Sequence, residues 1–171
     1  HRRTGVGCDQ VIVVVAARVT EADAFMGIFN ADGSEVAACG NASRCVGALL
    51  MAESGAAEVT IETRAGLIVA AAGGDGLVTV DMGPAGLDWR DLPLATEADT
   101  LHLPVAEGPL ADPVGVSMGN PHAVFLVDDA EAVDLATLGP RLEHHALFPE
   151  RANIEAVSPL GDGRLRMRVW E

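Results

Sequence analysis

The chain has 171 residues, 49% of them hydrophobic and 21% charged, and 11 basic against 25 acidic side chains give a formal net charge of -14. A chain of this length buries roughly 70% of the surface that it exposes when unfolded, so we expect a packed core without disulfides or metals, and no disorder. The acidic balance argues against binding to nucleic-acid phosphates or anionic membranes, and no apolar run reaches the roughly 20 residues of a membrane span.

The first part of the chain is predicted to form two strands, a turn and one helix. Residues 11–15 (VIVVV) are typical of a strand buried on both faces, and residues 25–29 (FMGIF) are a second strand candidate. Turn residues follow at 30–33 (NADG). Residues 40–53 combine small helix formers with only two charges, so we expect a helix surrounded by protein, closely approached by strands and ended by Gly55.

The rest of the chain reads as further strands with one more helix. Runs at 59–61, 67–71 and 77–80 predict an antiparallel meander. The composition then turns to Pro, Gly and Asp, and we place a domain boundary near Leu110, dividing residues 1–109 from residues 110–171. In the second part we predict strands at 114–118, 123–127, 153–157 and 165–170, a hairpin turn at 161–163, and a helix at 134–145 that Gly139 and Pro140 should break or kink.

Both ends of the sequence suggest a fragment. The chain has no initiator Met, and residues 166–171 alternate like a strand that no turn residue closes. The first five residues, HRRTG, lack the apolar stretch of a signal peptide, so we expect a cytoplasmic protein.

Cys39 stands immediately before Gly40 and Asn41, at the start of the predicted helix. Free N–H groups and roughly half a positive charge at a helix start favour the thiolate form of a cysteine. The backbone amides of Gly40 and Asn41 can bind a carboxylate or a developing oxyanion at the same place. The alternative is a small buried cysteine that only packs. The helix start, the glycine and the amide together favour a reactive role for Cys39.

The other two cysteines, Cys8 and Cys45, are assigned to core packing. Three cysteines are an odd number in a chain without an export signal, which favours free thiols over disulfides. A zinc site built from cysteines and His122 would need C-x2-C spacing, which is absent, so we expect no metal.

Polar, uncharged side chains stand beside glycines, prolines or strand ends, where each alone is explained as a turn residue. With Gln10 they can form a lining that reads the ammonium and carboxylate groups of an amino acid by hydrogen bonds. They are Asn30, Asn41, Asn120 and Asn153. His122 follows one of these turns, and either orients a nearby acid or only caps the turn.

Several chemistries are absent from the sequence. It contains no lysine, which excludes a Schiff-base or pyridoxal phosphate enzyme for this chain. It also has no Gly-rich nucleotide loop and no GxSxG elbow. We therefore expect neither pyridoxal phosphate nor a nucleotide cofactor held by such a loop.

Two neighbouring segments, residues 29–35 (FNADGSE) and 38–45 (ACGNASRC), closely resemble diaminopimelate epimerases. Three further segments agree in order and spacing: 5–10 (GVGCDQ), 119–122 (GNPH) and 148–153 (FPERAN). The resemblance spans the whole chain. It implies a mixed α/β fold of two pseudosymmetric halves, each a curled mixed or antiparallel sheet around a central helix, with the second half incomplete here.

The resemblance also implies an activity. This is cofactor-independent epimerisation of LL-diaminopimelate to the meso form in bacterial lysine and peptidoglycan precursor synthesis, in which a thiolate takes the α-proton and a thiol on the opposite face returns one. Cys39 matches the first cysteine, His122 an auxiliary position, and Glu171 a glutamate that contacts substrate and assists the chemistry. Six residues match other substrate contacts: Gln10, Asn30, Gly40, Asn41, Asn120 and Asn153. The partner implied is the small-molecule substrate, with a homodimer as one candidate for the oligomeric state.

The sequence departs from the family pattern at both ends. The family's second cysteine lies a little after the position of Glu171, and an early substrate-binding asparagine lies before His1. Inversion needs a proton donor on the second face, so we expect the 171 residues alone not to epimerise.

Two other functions stay open on the sequence. A related two-cysteine racemase acting on proline or hydroxyproline is one, although its cysteine surroundings differ from residues 38–44. A non-catalytic amino-acid-binding domain, in which Cys39 merely packs, is the other.

Overall fold

A computed structural model describes residues 4–37 and 39–171. Ala38, which belongs to the ACGNASRC motif, and residues 1–3, where we predict no signal peptide, lie outside the described residues. The chain divides into two compact units, His1–Gly83 and Pro84–Glu171. The division therefore falls at Gly83 and not near Leu110. The Pro-rich stretch belongs to the second unit because Leu92, Leu103 and Val105 are buried in that unit's core.

Twelve strands and two α-helices of the described residues make up these units. The first unit contains β1 (Gln10–Val15), β2 (Ala24–Asn30), β3 (Glu35–Val36), α1 (Gly40–Ser54), β4 (Glu58–Thr63), β5 (Gly66–Ala72) and β6 (Val78–Asp81), with a 3-10 turn at Gly74–Gly76. The second contains β7 (Ala106–Glu107), β8 (Leu110–Ala111), β9 (Val114–Ser117), β10 (Pro121–Leu126), a 3-10 turn at Ala130–Ala132, α2 (Leu135–Glu143), β11 (Asn153–Gly161) and β12 (Arg164–Trp170).

The first unit is a mixed sheet packed against α1. Its strand order is β1-β2-β4-β5-β6, with β3 on β2; of these pairs of described strands, β2 and β4 are parallel and the rest are antiparallel. The predicted meander is confirmed as β4-β5-β6. Helix α1 packs against these three strands, and a Cβ on Gly47 would lie 2.4 Å from the Cβ of Ala70. The helix ends as predicted at Gly55, which adopts φ +72° and donates its N–H to the carbonyl of Met51.

Three burial predictions in the first unit are wrong. β1 is the edge strand of the sheet, and four of its valines are exposed, so it is not buried on both faces. Cys8 and Cys45 are exposed thiols, not core residues. α1 is buried along one face only, and Leu49 on its other side is 62% exposed. Local sequence does not reveal which neighbour covers an apolar face, and this explains all three errors.

The second unit is a four-stranded sheet with α2 against β11 and β12. The order is β12-β11-β10-β9; β10 and β11 are parallel, and the other pairs are antiparallel. The predicted hairpin joins β11 to β12. The core contains Phe125, Leu135, Leu142 and Ile154.

Helix α2 continues through Gly139 and Pro140, so of the predicted break or kink the break is wrong. Gly139 is needed at this position because a Cβ there would lie 2.3 Å from Cγ of Trp170. Close contact with β12 thus explains a glycine that the sequence alone suggests is a helix breaker.

No helix within 4–37 or 39–171 combines the length and apolar character that crossing a membrane would require.

Candidate functional site

Cys39 is the N-cap of α1. Its backbone is extended (φ -152°, ψ 106°), and its carbonyl accepts the first helical hydrogen bond, from the N–H of Ser43 at 2.9 Å. The buried Ser43 hydroxyl donates to the same carbonyl at 2.8 Å. The Cys39 side chain is half-buried and packs against the first unit's apolar cluster. These contacts hold Cys39 at the helix start.

The first turn of α1 offers donors and no competing acid. Helix geometry leaves its first N–H groups without intrahelical acceptors, including those of Gly40 and Asn41. Within the described part of the chain, the N-cap makes no side-chain capping hydrogen bond, and the first turn holds no acidic residue. The Asn41 amide oxygen is held by a guanidinium N–H of Arg44. The helix start is therefore suited to an anionic group.

Gln10 and Asn30 form a second polar group in the first unit. They are register partners across β1 and β2, and Gln10 Nε2 donates to Asn30 Oδ1 at 3.1 Å. Asn30 Nδ2 donates to the Ser34 hydroxyl at 3.1 Å, which in turn donates to Asp32 Oδ1 at 2.6 Å. Among the described residues, no hydrogen bond joins Gln10 or Asn30 to Cys39, Gly40 or Asn41.

In the second unit a tight turn brings Asn120 and His122 together. Gly119 adopts φ +95°, which reverses the chain between β9 and β10. His122 Nε2 lies 2.9 Å from Asn120 Oδ1, and His122 Nδ1 lies 2.6 Å from Glu155 Oε1 on β11. Both ring nitrogens of His122 are thus hydrogen-bonded.

Three candidate residues form a row across three adjacent strands of the second unit. His122 on β10 is the register partner of Asn153 on β11. Ile154 pairs with Trp170, so continuing the antiparallel register by one residue sets Glu171 beside Asn153. Neighbouring strands lie about 4.8 Å apart, so side chains in such a row are within reach of one small ligand.

Glu155 is the residue that sequence reasoning missed. It is only 3% exposed and lies two residues beyond Asn153, on the same face of β11. The sequence did hold one signal, a lone acid inside the apolar strand pattern at 153–157. A buried carboxylate requires a partner, so an acid in such a pattern indicates that a polar partner lies near it in the fold. That partner, His122, is 33 residues away in sequence and could not be identified from spacing.

The fold matches solved racemase and epimerase structures. A hydroxyproline epimerase from Agrobacterium vitis, solved with bound trans-4-hydroxy-L-proline, aligns with a TM-score of 0.64 and 21% identity over 94% of this chain and 52% of that chain. A probable proline racemase from Agrobacterium radiobacter gives 0.62 and 23%, over 94% and 53%. At these identities the likeness is one of fold, and it confirms the predicted mixed α/β class.

The family follows from sequence. The diaminopimelate epimerase family model matches residues 1–87 and 114–171. A protein of Rhodospirillum centenum named diaminopimelate epimerase is 61% identical over 99% of this chain and 58% of its own length; one from Acidiphilium cryptum is 55% identical over 99% and 61%. The chain belongs to the diaminopimelate epimerase family, as its motifs predicted, and spans less than two thirds of these relatives' length.

Proposed function

We propose that the complete protein interconverts LL- and meso-diaminopimelate without a cofactor, using Cys39 as one of two acid–base thiols. The observation that supports this most is the position of Cys39 at the start of α1 in a chain of this family. The alternative of a proline or hydroxyproline racemase is not favoured, because the similarity to those structures is confined to the fold.

The chemistry is a proton transfer at the substrate's α-carbon. An α-hydrogen beside a carboxylate is very weakly acidic, so its removal needs a thiolate held close and donors for the developing negative charge. In the proposal, the Cys39 thiolate takes the α-proton, and the electron pair left on carbon is stabilised through a carboxylate bound at the amides of Gly40 and Asn41. A thiol on the opposite face then protonates the carbon, and the two sulfurs exchange roles in the reverse direction.

The remaining candidate residues are proposed as substrate contacts. Gln10 and Asn30 supply neutral donors and acceptors in the first unit, and Asn120 and Asn153 in the second. His122 and Glu171 are proposed to assist the reaction. The resemblance assigns the second thiol to sequence beyond Glu171, so we propose that the 171 residues alone do not epimerise. A cytoplasmic location and a homodimer complete the proposal, consistent with a role in precursor synthesis.

The test compares the Cys39→Ala and Cys45→Ala variants of the complete natural protein. Loss of a positioned acid–base group lowers the rate by about 10²- to 10⁴-fold, so Cys39→Ala should abolish measurable epimerisation. Cys45 lies on the same helix but is exposed, so its substitution should leave the rate within about twofold of the parent protein, because exposed substitutions change little. Stereochemistry is read by chiral chromatography of the diaminopimelate isomers.

Alkylation provides an independent readout of binding. Diaminopimelate should protect Cys39 from iodoacetamide and leave Cys45 unprotected, whereas proline should protect neither; peptide mass spectrometry measures both sites. Protection of Cys39 by proline but not by diaminopimelate would favour the racemase alternative. Epimerisation by the Cys39→Ala variant would refute the acid–base role.

A further inference from the structure

Glu143 is an acid in an unfavourable place. It is the last residue of α2, where the partial negative charge of the helix end disfavours a carboxylate. Its side chain is only 16% exposed, and a carboxylate that is largely withdrawn from water requires polar partners. Its partners must therefore account for an acid at this position, since helix propensity and apolar packing do not.

The carboxylate oxygens of Glu143 have one strong partner and two weaker ones. Trp170 Nε1 on β12 donates to Oε2 at 2.8 Å, and an indole N–H can only donate, so the direction of this hydrogen bond is settled. His144 Nδ1 lies 3.8 Å from Oε2, beyond hydrogen-bond distance. Arg151 Nη1 lies 3.5 Å from Oε1, but the Arg151 side chain is 69% exposed, and an exposed ion pair contributes little. The hydrogen bond from Trp170 is therefore the main contact of Glu143.

Gly139 also contacts the Trp170 ring. A Cβ on Gly139 would lie 2.3 Å from Cγ of Trp170, so the ring lies directly against the helix backbone. Gly139 and Glu143 are four residues apart and share one face of α2. That face sets the position of the indole through one close contact and one hydrogen bond.

The position of Trp170 determines where Glu171 lies. Trp170 is the register partner of Ile154 and packs with it in the core of the second unit, so its side chain is on the core face of the sheet. Side chains alternate along a strand, so the extended chain directs Glu171 to the opposite face. That face carries His122 and Asn153, which are register partners. A slip of β12 by one residue would turn Glu171 away from them.

We propose that Glu143 is a positioning residue that, through its hydrogen bond from Trp170, holds Glu171 in the row with His122 and Asn153. The role of Glu171 in the reaction rests on the proposed function, whereas the hold on its position does not. Glu143 acts from the core face of the sheet and touches no substrate in this scheme.

The test compares two variants of the complete natural protein. Glu143→Leu removes the acceptor for Trp170 Nε1–H, whereas Glu143→Gln keeps one in its amide oxygen. A misplacement of about 1 Å costs up to about 10²-fold in rate, so Glu143→Leu should lower kcat/KM for diaminopimelate by about 10- to 100-fold. Glu143→Gln should recover most of this loss. The matched control is Arg141→Ala, which removes an exposed ion pair with Glu107 from the same helix and should change the rate by less than about twofold.

Backbone and indole ¹H–¹⁵N spectra measure the hold on β12 directly. The Trp170 indole signal should shift in Glu143→Leu and stay near its parent position in Glu143→Gln, and the backbone amide signal of Glu171 should follow the same pattern. Trp170→Phe keeps an aromatic ring against Gly139 but removes the N–H, so it should reproduce the loss of rate. Adding it to Glu143→Leu should cost little more, since both variants remove the same hydrogen bond.

Glu171→Gln distinguishes positioning from general damage to the fold. If Glu143 acts through Glu171, Glu143→Leu should lower the rate of the Glu171→Gln protein by less than about a further twofold. Should Glu143→Leu not fold, Trp170→Phe takes its place in this comparison. An additive loss in the Glu171→Gln protein, a parent-like rate in Glu143→Leu, or an unshifted Glu171 amide would overturn the proposal.

Failure of the proposed function is separable from failure of this inference. If the parent protein does not turn over diaminopimelate, the proposed function is wrong. The Glu171 amide signals of Glu143→Leu and Glu143→Gln still decide whether Glu143 holds that residue in place.

Discussion

A surface contact with Asp112 changes the pKa of His102. Its Nδ1 lies 3.0 and 3.2 Å from the two carboxylate oxygens of Asp112. The hydrogen bond to Asp112 and the negative charges of Asp112 and Asp99 raise the pKa of His102 above its usual 6.5. The protonated form is therefore favoured in the folded state, so this contact stabilises the protein below about pH 6.5 and is lost as the pH rises through the raised pKa.

We predict that Asp112→Asn returns the pKa of His102 toward 6.5, measured by the ¹H NMR titration of its ring protons. Asparagine tolerates the positive φ of +53° at position 112, so the backbone should be preserved. Asp99→Asn is the control, and it should lower the pKa of His102 less than Asp112→Asn does, since the charge of Asp99 is the weakest cause of the raised pKa. An equal effect of the two variants would contradict the assignment to Asp112.

Candidate site residues could be predicted from the sequence only where a reactive or polar side chain stands next to a local structural signal or within a motif. The place of Cys39 at a helix start was predictable because helix formers follow it directly, and Gln10 was singled out because it belongs to a motif segment; the roles of both stay predictions. The burial of Glu155 and the exposure of Cys45 could not be predicted, since both depend on residues distant in sequence. A buried acid is recognisable from sequence, but its partner is not.

Helix α2 and strand β12 are coupled at one glycine. Gly139→Ala would place a Cβ 2.3 Å from Cγ of Trp170, whose Nε1 donates to Glu143 at 2.8 Å. Alanine gains about 1 kcal/mol in helix propensity, but overpacking costs about 1–3 kcal/mol, so we predict net destabilisation. Trp170 immediately precedes Glu171, so displacement of β12 should also lower the epimerisation that we propose for the complete protein. Urea denaturation and the epimerase assay measure these two effects.

The matched control for Gly139→Ala is Thr137→Ala, an exposed position on the same helix. It should change the free energy of unfolding by less than about 0.5 kcal/mol. A Gly139→Ala protein as stable as the parent would show that Trp170 can move aside without cost.

The elements themselves were largely predictable, because strand alternation, small-residue helices and glycine stops are local signals. Helix α1, the β4-β5-β6 meander and the β11-β12 hairpin follow the sequence pattern. The exposure of β1 could not be predicted in this way, because an apolar strand at the edge of a sheet has the same sequence pattern as one at its centre.

For the whole molecule, the division into units was the hardest feature to predict. Proline and glycine marked the region after residue 82, but its leucines pack in the second core, so the boundary falls at Gly83. Composition shows that a stretch is irregular; only packing shows which core it joins.

The net charge of the molecule and its exposed sheet edge have opposite effects on association. The charge of -14 keeps molecules apart at pH 7, whereas β1 is an edge strand among the described residues and carries exposed valines. We predict increasing association as the pH falls toward the pI of 4.5, measured by light scattering.

The role of the sheet edge is tested with Val13→Lys. This substitution changes the net charge from -14 to -13, and the smaller charge by itself favours association. The variant should nevertheless associate less than the parent protein, because a lysine on the edge strand blocks pairing with another strand. Leu101→Lys makes the same charge change at an exposed leucine of the second unit and should have no such effect; equal behaviour of the two variants would exclude β1 as the cause.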